Sequence, residues 1–258
     1  MSDREGEQLA DSLATALNAA GIPCVLWGHC LLSAHGVPTY TAAIDLVVPD
    51  AEFAAAREIL ATNCANFTQP LFACPDPTTC PKISPTRPHP PSAFHLHIQG
   101  ATSHLVTSAV CLFLQSETLW FLPPFDASLA SPRAHQLPRY LALASDRTAL
   151  PPYRIGMGRG VFDNNQTVVL VPKSHILLEA LMRIMARELG KRCGDQAVQT
   201  FSYIELYVDR DGFLDVDLLP LPFGKIYKNF KGGVVPVKDC LLKLRRAVGI
   251  AVEPNMYR

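Results

Sequence analysis

Apolar and polar positions along this chain recur with two periods. Over residues 5–20, Leu9, Leu13, Leu17 and Ala20 fall at helical spacing, which predicts an amphipathic helix ended by Gly21 and Pro23. The run Val25-Leu26-Trp27 predicts a strand that stops at Gly28, and a helix is expected over 29–34 before the Gly36-Val37-Pro38 turn. Residues 44–48 form a second apolar strand with a single acid inside it, Asp45. Asp50 is expected to cap a helix over 51–62, whose Phe53, Ala56, Ile59 and Leu60 make one stripe. Strand, helix, strand, helix in that order predicts an α/β domain.

The pattern then breaks. Eight prolines stand between Pro70 and Pro91, a density that forbids regular structure and predicts a long surface loop. Phe94-His95-Leu96-His97-Ile98 alternates like a strand, with both histidines on one face. Residues 106–114 and 118–122 read as a hairpin across Gln115-Ser116-Glu117, and a second proline-marked loop is expected over 123–138. A strand at 167–171 leads through Pro172 and Ser174 into the longest helix, expected to reach about Arg192, with Leu177, Leu178, Leu181, Ile184, Met185 and Leu189 facing inward. Gly190 and Gly194 bracket a break. A second helix over 197–208 carries Phe201, Ile204, Leu206 and Tyr207, with Glu205 among them. Asp209-Arg210-Asp211-Gly212 is an acidic turn too short for a calcium loop. The final section is basic, with Lys225, Lys228, Lys231, Lys238, Lys243, Arg245 and Arg246 against Asp239, and a helix is expected over 238–248. The implied division is an α/β core over 1–165, with the proline-rich loop at 70–91, and a helical part over 166–258 with a basic end.

Composition narrows the classes. With 258 residues, 48% hydrophobic and 18% charged, the chain has the make-up of a globular protein with a substantial core. Lys plus Arg and Asp plus Glu each total 23, so any nucleic-acid contact must come from a local patch. No apolar run reaches the roughly 18 residues of a membrane span, and MSDREGEQL lacks the order of a signal peptide. A soluble, cytoplasmic protein is expected, with no membrane partner; the oligomeric state is left open. Of the eight cysteines, Cys74 and Cys80 lie close together in a loop-like context, but without zinc-knuckle spacing, so buried or free thiols are expected and no metal site.

Two segments carry candidate chemistry. In ALPPYRIGMGRGVF, residues 149–162, Gly156, Gly158 and Gly160 alternate with Arg154 and Arg159. Glycines permit close backbone approach with free amides, and arginines supply forked donors for phosphate. The plainer reading is a glycine-rich turn with solvated arginines. The spacing does not match a dinucleotide fingerprint. The other segment is Pro23 to Asp50, in which a Gly28-led turn is followed by the strand holding Asp45. This order resembles the active-site core of the nucleotidyltransferase fold. The resemblance implies a glycine turn that cradles phosphates and a following strand with two metal-binding acids one residue apart. Here the first of those positions is Ala43 and the second is Asp45.

The Gly28/Asp45 block, LPPYRIGMGRGVF and VLVPKSHILLEAL together resemble a family of ascomycete proteins with a nucleotidyltransferase-like fold: a mixed sheet with flanking helices and a helical C-terminal part. Within it, the chain is similar to the fungal arginine-containing cyclodipeptide synthases of secondary metabolism. Their Asp-Asp-x-x-Glu motif has its nearest counterpart in Phe201-Ser202-Tyr203-Ile204-Glu205, which keeps the glutamate. The resemblance implies condensation of arginyl-tRNA with a second aminoacyl-tRNA, without a cofactor. It suggests Asp45, Glu205 and His97 as catalytic residues, and Gly28, His29, Arg154, Gly156, Gly158 and Arg159 at the substrate. RNA would meet Lys225, Lys228, Lys231, Arg245 and Arg246.

Chemistry ranks the alternatives. Two-metal nucleotidyl transfer needs paired carboxylates. Ala43 removes one, and the histidines at 95 and 97 are poor magnesium ligands. An aminoacyl ester is already activated, and its aminolysis needs orientation, a base and an oxyanion partner but no metal. A catalytically degenerate nucleotide- or RNA-binding protein and a conventional nucleotidyltransferase are the other readings. Each residue has a structural rival. Asp45 would end a strand near solvent, Glu205 would sit on an exposed helix face, His95 and His97 would line a solvated strand face, and the lysines would be ordinary surface.

Overall fold

The computed structural model describes residues 1–73, 91–102, 107–131, 137–163, 168–233 and 235–251, with backbone alone at 99–102 and 107–108. The chain divides into two compact units, the first running to Lys173 and the second formed essentially by residues from Ser174 onward.

The first unit is built on a sheet of seven strands in the order β3-β4-β5-β2-β1-β7-β6. These are β1 (Val25–Trp27), β2 (Ala43–Val48), β3 (Leu71–Ala73), β4 (Phe94–Thr102), β5 (Thr107–Leu114), β6 (Leu141–Leu143) and β7 (Leu170–Pro172). β1 pairs antiparallel with β2 and parallel with β7, while β2 runs parallel to β5. β4 lies antiparallel to both β5 and β3, and β6 to β7, so the sheet is mixed. Helix α1 (Asp3–Ala19) begins at a capping box: the Ser2 hydroxyl accepts from the Glu5 amide, and Glu5 accepts from the Ser2 amide at 2.8 Å. Its apolar stripe, Leu9, Leu13 and Leu17, is wholly buried as the periodicity predicts. α1 packs on β2 beside Ile44, with Gly6 giving the room. α2 (Gly28–Ala34) packs on β1 and β2, and α3 (Phe53–Thr62) on α1 and β5.

Several expectations change here. Residues 118–122 do not pair with β5, because β2 and β4 already occupy both its edges. The chain instead leaves β5 through the short helix α4 (Gln115–Thr118), and Gln115 clamps residues 123–125 by donating to the Pro123 carbonyl and accepting from the Phe125 amide. Asp50 does not cap α3. A 3-10 turn intervenes at Asp50–Glu52, and the Asp50 carboxylate accepts from the Ser116 amide at 3.0 Å, at the start of α4. Within the proline-rich stretch, Leu71–Ala73 forms strand β3 against β4; residues 74–90 lie outside the described residues. β6 was not anticipated; three residues are too few for a period to show.

The second unit is helical: α5 (Ser174–Arg187), α6 (Arg192–Tyr203) continued by a π-helical turn (Ile204–Asp209), α7 (Phe223–Lys231) and α8 (Val237–Ala247). α5 ends earlier than expected, and Glu188 spans the break by accepting from Arg187 and Lys191. α6 starts earlier because Gly194 lies inside it: a Cβ there would overlap the Glu188 carbonyl. Phe201 packs on Tyr227 and Phe230 with ring centroids 5.4 and 5.0 Å away. Among the described residues, no helix is long and apolar enough to cross a membrane.

Candidate functional site

Strand register gathers the candidate chemistry onto one face of the sheet. Trp27 pairs with Asp45, Asp45 with Cys111, and Cys111 with His95, so these side chains rise in a row from the same face. The adjacent row holds Ala43, Ala109, His97 and Phe72. Asp45 is 1% exposed, His95 5% and His97 3%. The histidine face is therefore buried rather than solvated. The two imidazoles meet edge-on with centroids 5.4 Å apart, and Phe72 lies 5.3 Å from His97.

The turn from β1 into α2 places Asp45. Gly28 has φ of +62°, and a Cβ on it would overlap Asp45 Oδ2 and stand 3.0 Å from Cγ. The carboxylate thus lies against the glycine turn that the resemblance assigns to phosphate. Its charge reaches into α2: burial first, and then Asp45, Asp3 and Glu7, push the Cys30 thiol upward and keep it protonated. His29, the next residue, is half-buried. Among the described residues no three His, Cys, Asp or Glu side chains converge as metal ligands.

The glycine-rich segment lies at the other end of α2. The Gly158 amide donates to the Gly36 carbonyl at 3.0 Å, and the Gly160 amide to the Ser33 carbonyl at 2.9 Å. These amides are not free for phosphate; they satisfy one carbonyl in the last turn of α2 and one just past it. A Cβ at Gly158 would meet Val37 O at 2.5 Å and Ser33 O at 2.6 Å, so the residue is needed for close approach. Seven helical residues, about 10 Å, separate this dock from Gly28 and the Asp45 carboxylate beside it. Gly156, with φ of +81°, lies at an exposed tip with Tyr153, Arg154 and Ile155.

Arg159 is not a solvated cation. Its Nε donates to Glu7 at 2.6 Å, its Nη2 to Asp163, and the Asp163 amide donates to the second Glu7 oxygen at 2.7 Å. Ser33 receives the Arg159 amide on its hydroxyl oxygen and donates to Asp3. Asp3, Arg4, Tyr153, Arg159 and Asp163 line a cleft of about 460 Å³. Glu7, outside the sequence-based expectations, shares a helical stripe with Ala10, Ala14 and Leu17, all buried. An acid on an apolar stripe was the available signal. Cys111 and Trp27 had no such signal, because only strand register places them beside Asp45.

The remaining expected residues belong to the second unit. Glu205 is the second residue of the π-helical turn and is half-buried. Lys228 pairs with Asp217 at 3.0 Å and Lys231 with Asp209 at 2.6 Å. Arg245 is buried, donating to the Ala186 carbonyl from Nη1 and to the Ala251 carbonyl from Nη2, each at 2.9 Å. It ties α8 to the end of α5 instead of facing RNA. Lys225 and Arg246 remain exposed.

No family model and no curated protein matches the sequence. Among solved structures, the chain is similar to an antigenic nucleotidyltransferase-like protein from Paracoccidioides brasiliensis, at 12% identity, with 95% of each chain covered and a TM-score of 0.43. At that level the likeness carries no argument about chemistry. The mixed α/β class rests on the sheet itself.

Proposed function

We propose that this chain is a nucleotidyltransferase-like protein whose site performs metal-independent aminolysis of aminoacyl esters, joining arginyl-tRNA to a second aminoacyl-tRNA as a cyclic dipeptide. One observation supports the reading above others: a single carboxylate, Asp45, is buried at the Gly28 turn in one row with Cys111 and His95, with Ala43 where paired-metal chemistry wants a second acid. A lone base next to a buried polar face suits proton removal from an attacking amine.

The amine nitrogen of one aminoacyl group attacks the ester carbon of the other. The C–N bond forms, the C–O bond to the ribose breaks, and the amine proton passes through Asp45 to the leaving ribose oxygen. The same exchange, now intramolecular, closes the ring and releases the second tRNA. His97, on the same face, orients or relays within this set. Arg154, Lys225 and Arg246 are exposed cations suited to the RNA backbone; the roles of Glu205, Lys228 and Lys231 follow the resemblance alone.

Mass spectrometry of reactions supplied with charged tRNAs is the test. An arginine-containing cyclic dipeptide that falls at least 100-fold in Asp45→Asn is expected, in line with loss of a general base. Repeated absence of product with intact aminoacyl-tRNA would sink the proposal. The carboxylate filling the Gly28 turn favours a second reading, a catalytically degenerate RNA-binding module, which predicts salt-sensitive binding without turnover. Magnesium-dependent nucleotide incorporation abolished by Asp45→Asn would instead identify a conventional nucleotidyltransferase.

A further inference from the structure

The cleft beside the first turn of α1 holds hydrogen-bonding capacity that the fold leaves unspent. Asp3, Arg4, Tyr153, Arg159 and Asp163 line it, and its volume of about 460 Å³ suits one small molecule. Arg159 spends Nε on Glu7 and Nη2 on Asp163, and its Nη1 meets no acceptor among the described residues. Arg4 is exposed and makes no hydrogen bond or ion pair among them, although two carboxylates line the same cleft. Asp3 uses one oxygen on the Ser33 hydroxyl and Asp163 one on Arg159, so each keeps a second oxygen with no donor among the described residues. Opposite charges that share a cleft without closing on each other match a ligand that carries both signs.

We propose that this cleft binds a free α-amino acid with a basic side chain. The α-carboxylate takes donors from Arg4 and from Arg159 Nη1. The α-ammonium lies on the open oxygens of Asp3 and Asp163. Two bonds already fix the Arg159 guanidinium, whose side chain is 11% exposed, so its remaining nitrogen is presented with little further ordering. With Glu7 behind Arg159, three carboxylates stand against two guanidinium groups, which favours a ligand of net positive charge over an acidic one. Tyr153 is 58% exposed, and its ring offers a wall for the methylene stem of lysine or arginine. A phosphate would meet the same guanidinium groups but be repelled by the acids around them. The lining includes none of the Asp45 row, and the proposal does not depend on the aminolysis reading.

Calorimetric titration of the full chain with L-lysine and L-arginine, at low salt in phosphate-free buffer, is the test. Saturable binding of at least one is expected. Agmatine, which lacks the carboxylate, and Nα-acetyl-L-lysine, which lacks the ammonium, should each bind more weakly by about 10-fold or more. L-Glutamate should bind more weakly than L-lysine. Arg4→Ala is expected to lower the affinity about 10-fold, and Tyr153→Ala about 4-fold, the worth of one buried methylene. Both side chains are exposed, so the circular dichroism and urea midpoint of each variant should match the wild type. No saturable heat at millimolar concentrations overturns the proposal, as does agmatine that binds as tightly as arginine, or binding untouched by Arg4→Ala. AMP that binds through Arg4 while both amino acids fail would make the cleft an anion site and overturn it too. The comparison of ligands uses the wild-type chain, so the proposal stays testable even if a variant fails to fold.

Discussion

Gly28 is constrained twice, by a backbone angle that favours glycine and by the carboxylate beside its α-carbon. Gly28→Ala is therefore expected to cost about 2 kcal/mol or more. Removing the Asp45 carboxylate in Gly28→Ala/Asp45→Ala should relieve the steric share and leave the angular one. Urea denaturation of the four proteins should then give a coupling of about 1 kcal/mol; strict additivity would mean that the two residues do not touch. His35 makes a separate, pH-dependent contribution. Burial holds its imidazole down at about 4, although the bond from Nε2 to the Pro172 carbonyl pulls the other way. The unfolded chain binds that proton near 6.5. Between those values the unfolded state holds more protons, so stability is whole above pH 6.5 and falls as the pH drops toward 4, on the order of 3 kcal/mol. His35→Gln should flatten that part of the stability profile, as read by urea denaturation across the window. A profile as steep as that of the wild type would assign the acid loss to other groups.

At the scale of elements, α1, α2 and the 151–163 segment are joined by one polar knot of Glu7, Arg159, Asp163 and Ser33. Both side chains of the central pair are largely buried, so taking away one charge strands the other. Glu7→Gln is expected to cost about 3 kcal/mol and to speed hydrogen exchange at the Gly158 and Gly160 amides. Unchanged protection there would show that the glycine dock on α2 stands without the ion pair. This knot also explains the uneven legibility of the sequence. The α1 stripe and the β1 and β2 runs were readable because one helix or strand face meets the core. The hairpin expected after β5 failed because pairing depends on which edges are free, and the order β4-β5-β2 leaves none. The arginine–glycine segment reads from sequence either as a phosphate cradle or as a glycine-rich turn with solvated arginines; the folded chain uses it as a dock on the end of α2, with Arg159 paired to Glu7.

For the whole molecule, opposite charges balance at 23 each, so the proposed RNA binding would rest on cations that are not already engaged. Lys225, Lys243 and Arg246 are exposed and carry no ion pair among the described residues, whereas Lys228, Lys231 and Arg245 have partners. Replacing the first three with glutamine should lower the slope of log affinity for tRNA against log salt by roughly 2–3, measured by fluorescence anisotropy over a salt series. Lys231→Gln should barely move it; the reverse result would transfer the RNA surface to the paired lysines. The sequence by itself determined the α/β beginning, the helical second part, the buried stripes and the Gly28–Asp45 block, since each depends on residues a few positions apart. Tertiary structure alone decided that His95, Cys111, Asp45 and Trp27 share a row and that Arg159 meets an acid 152 positions away. Local periodicity records which way a side chain points, but strand order and register decide what it meets there.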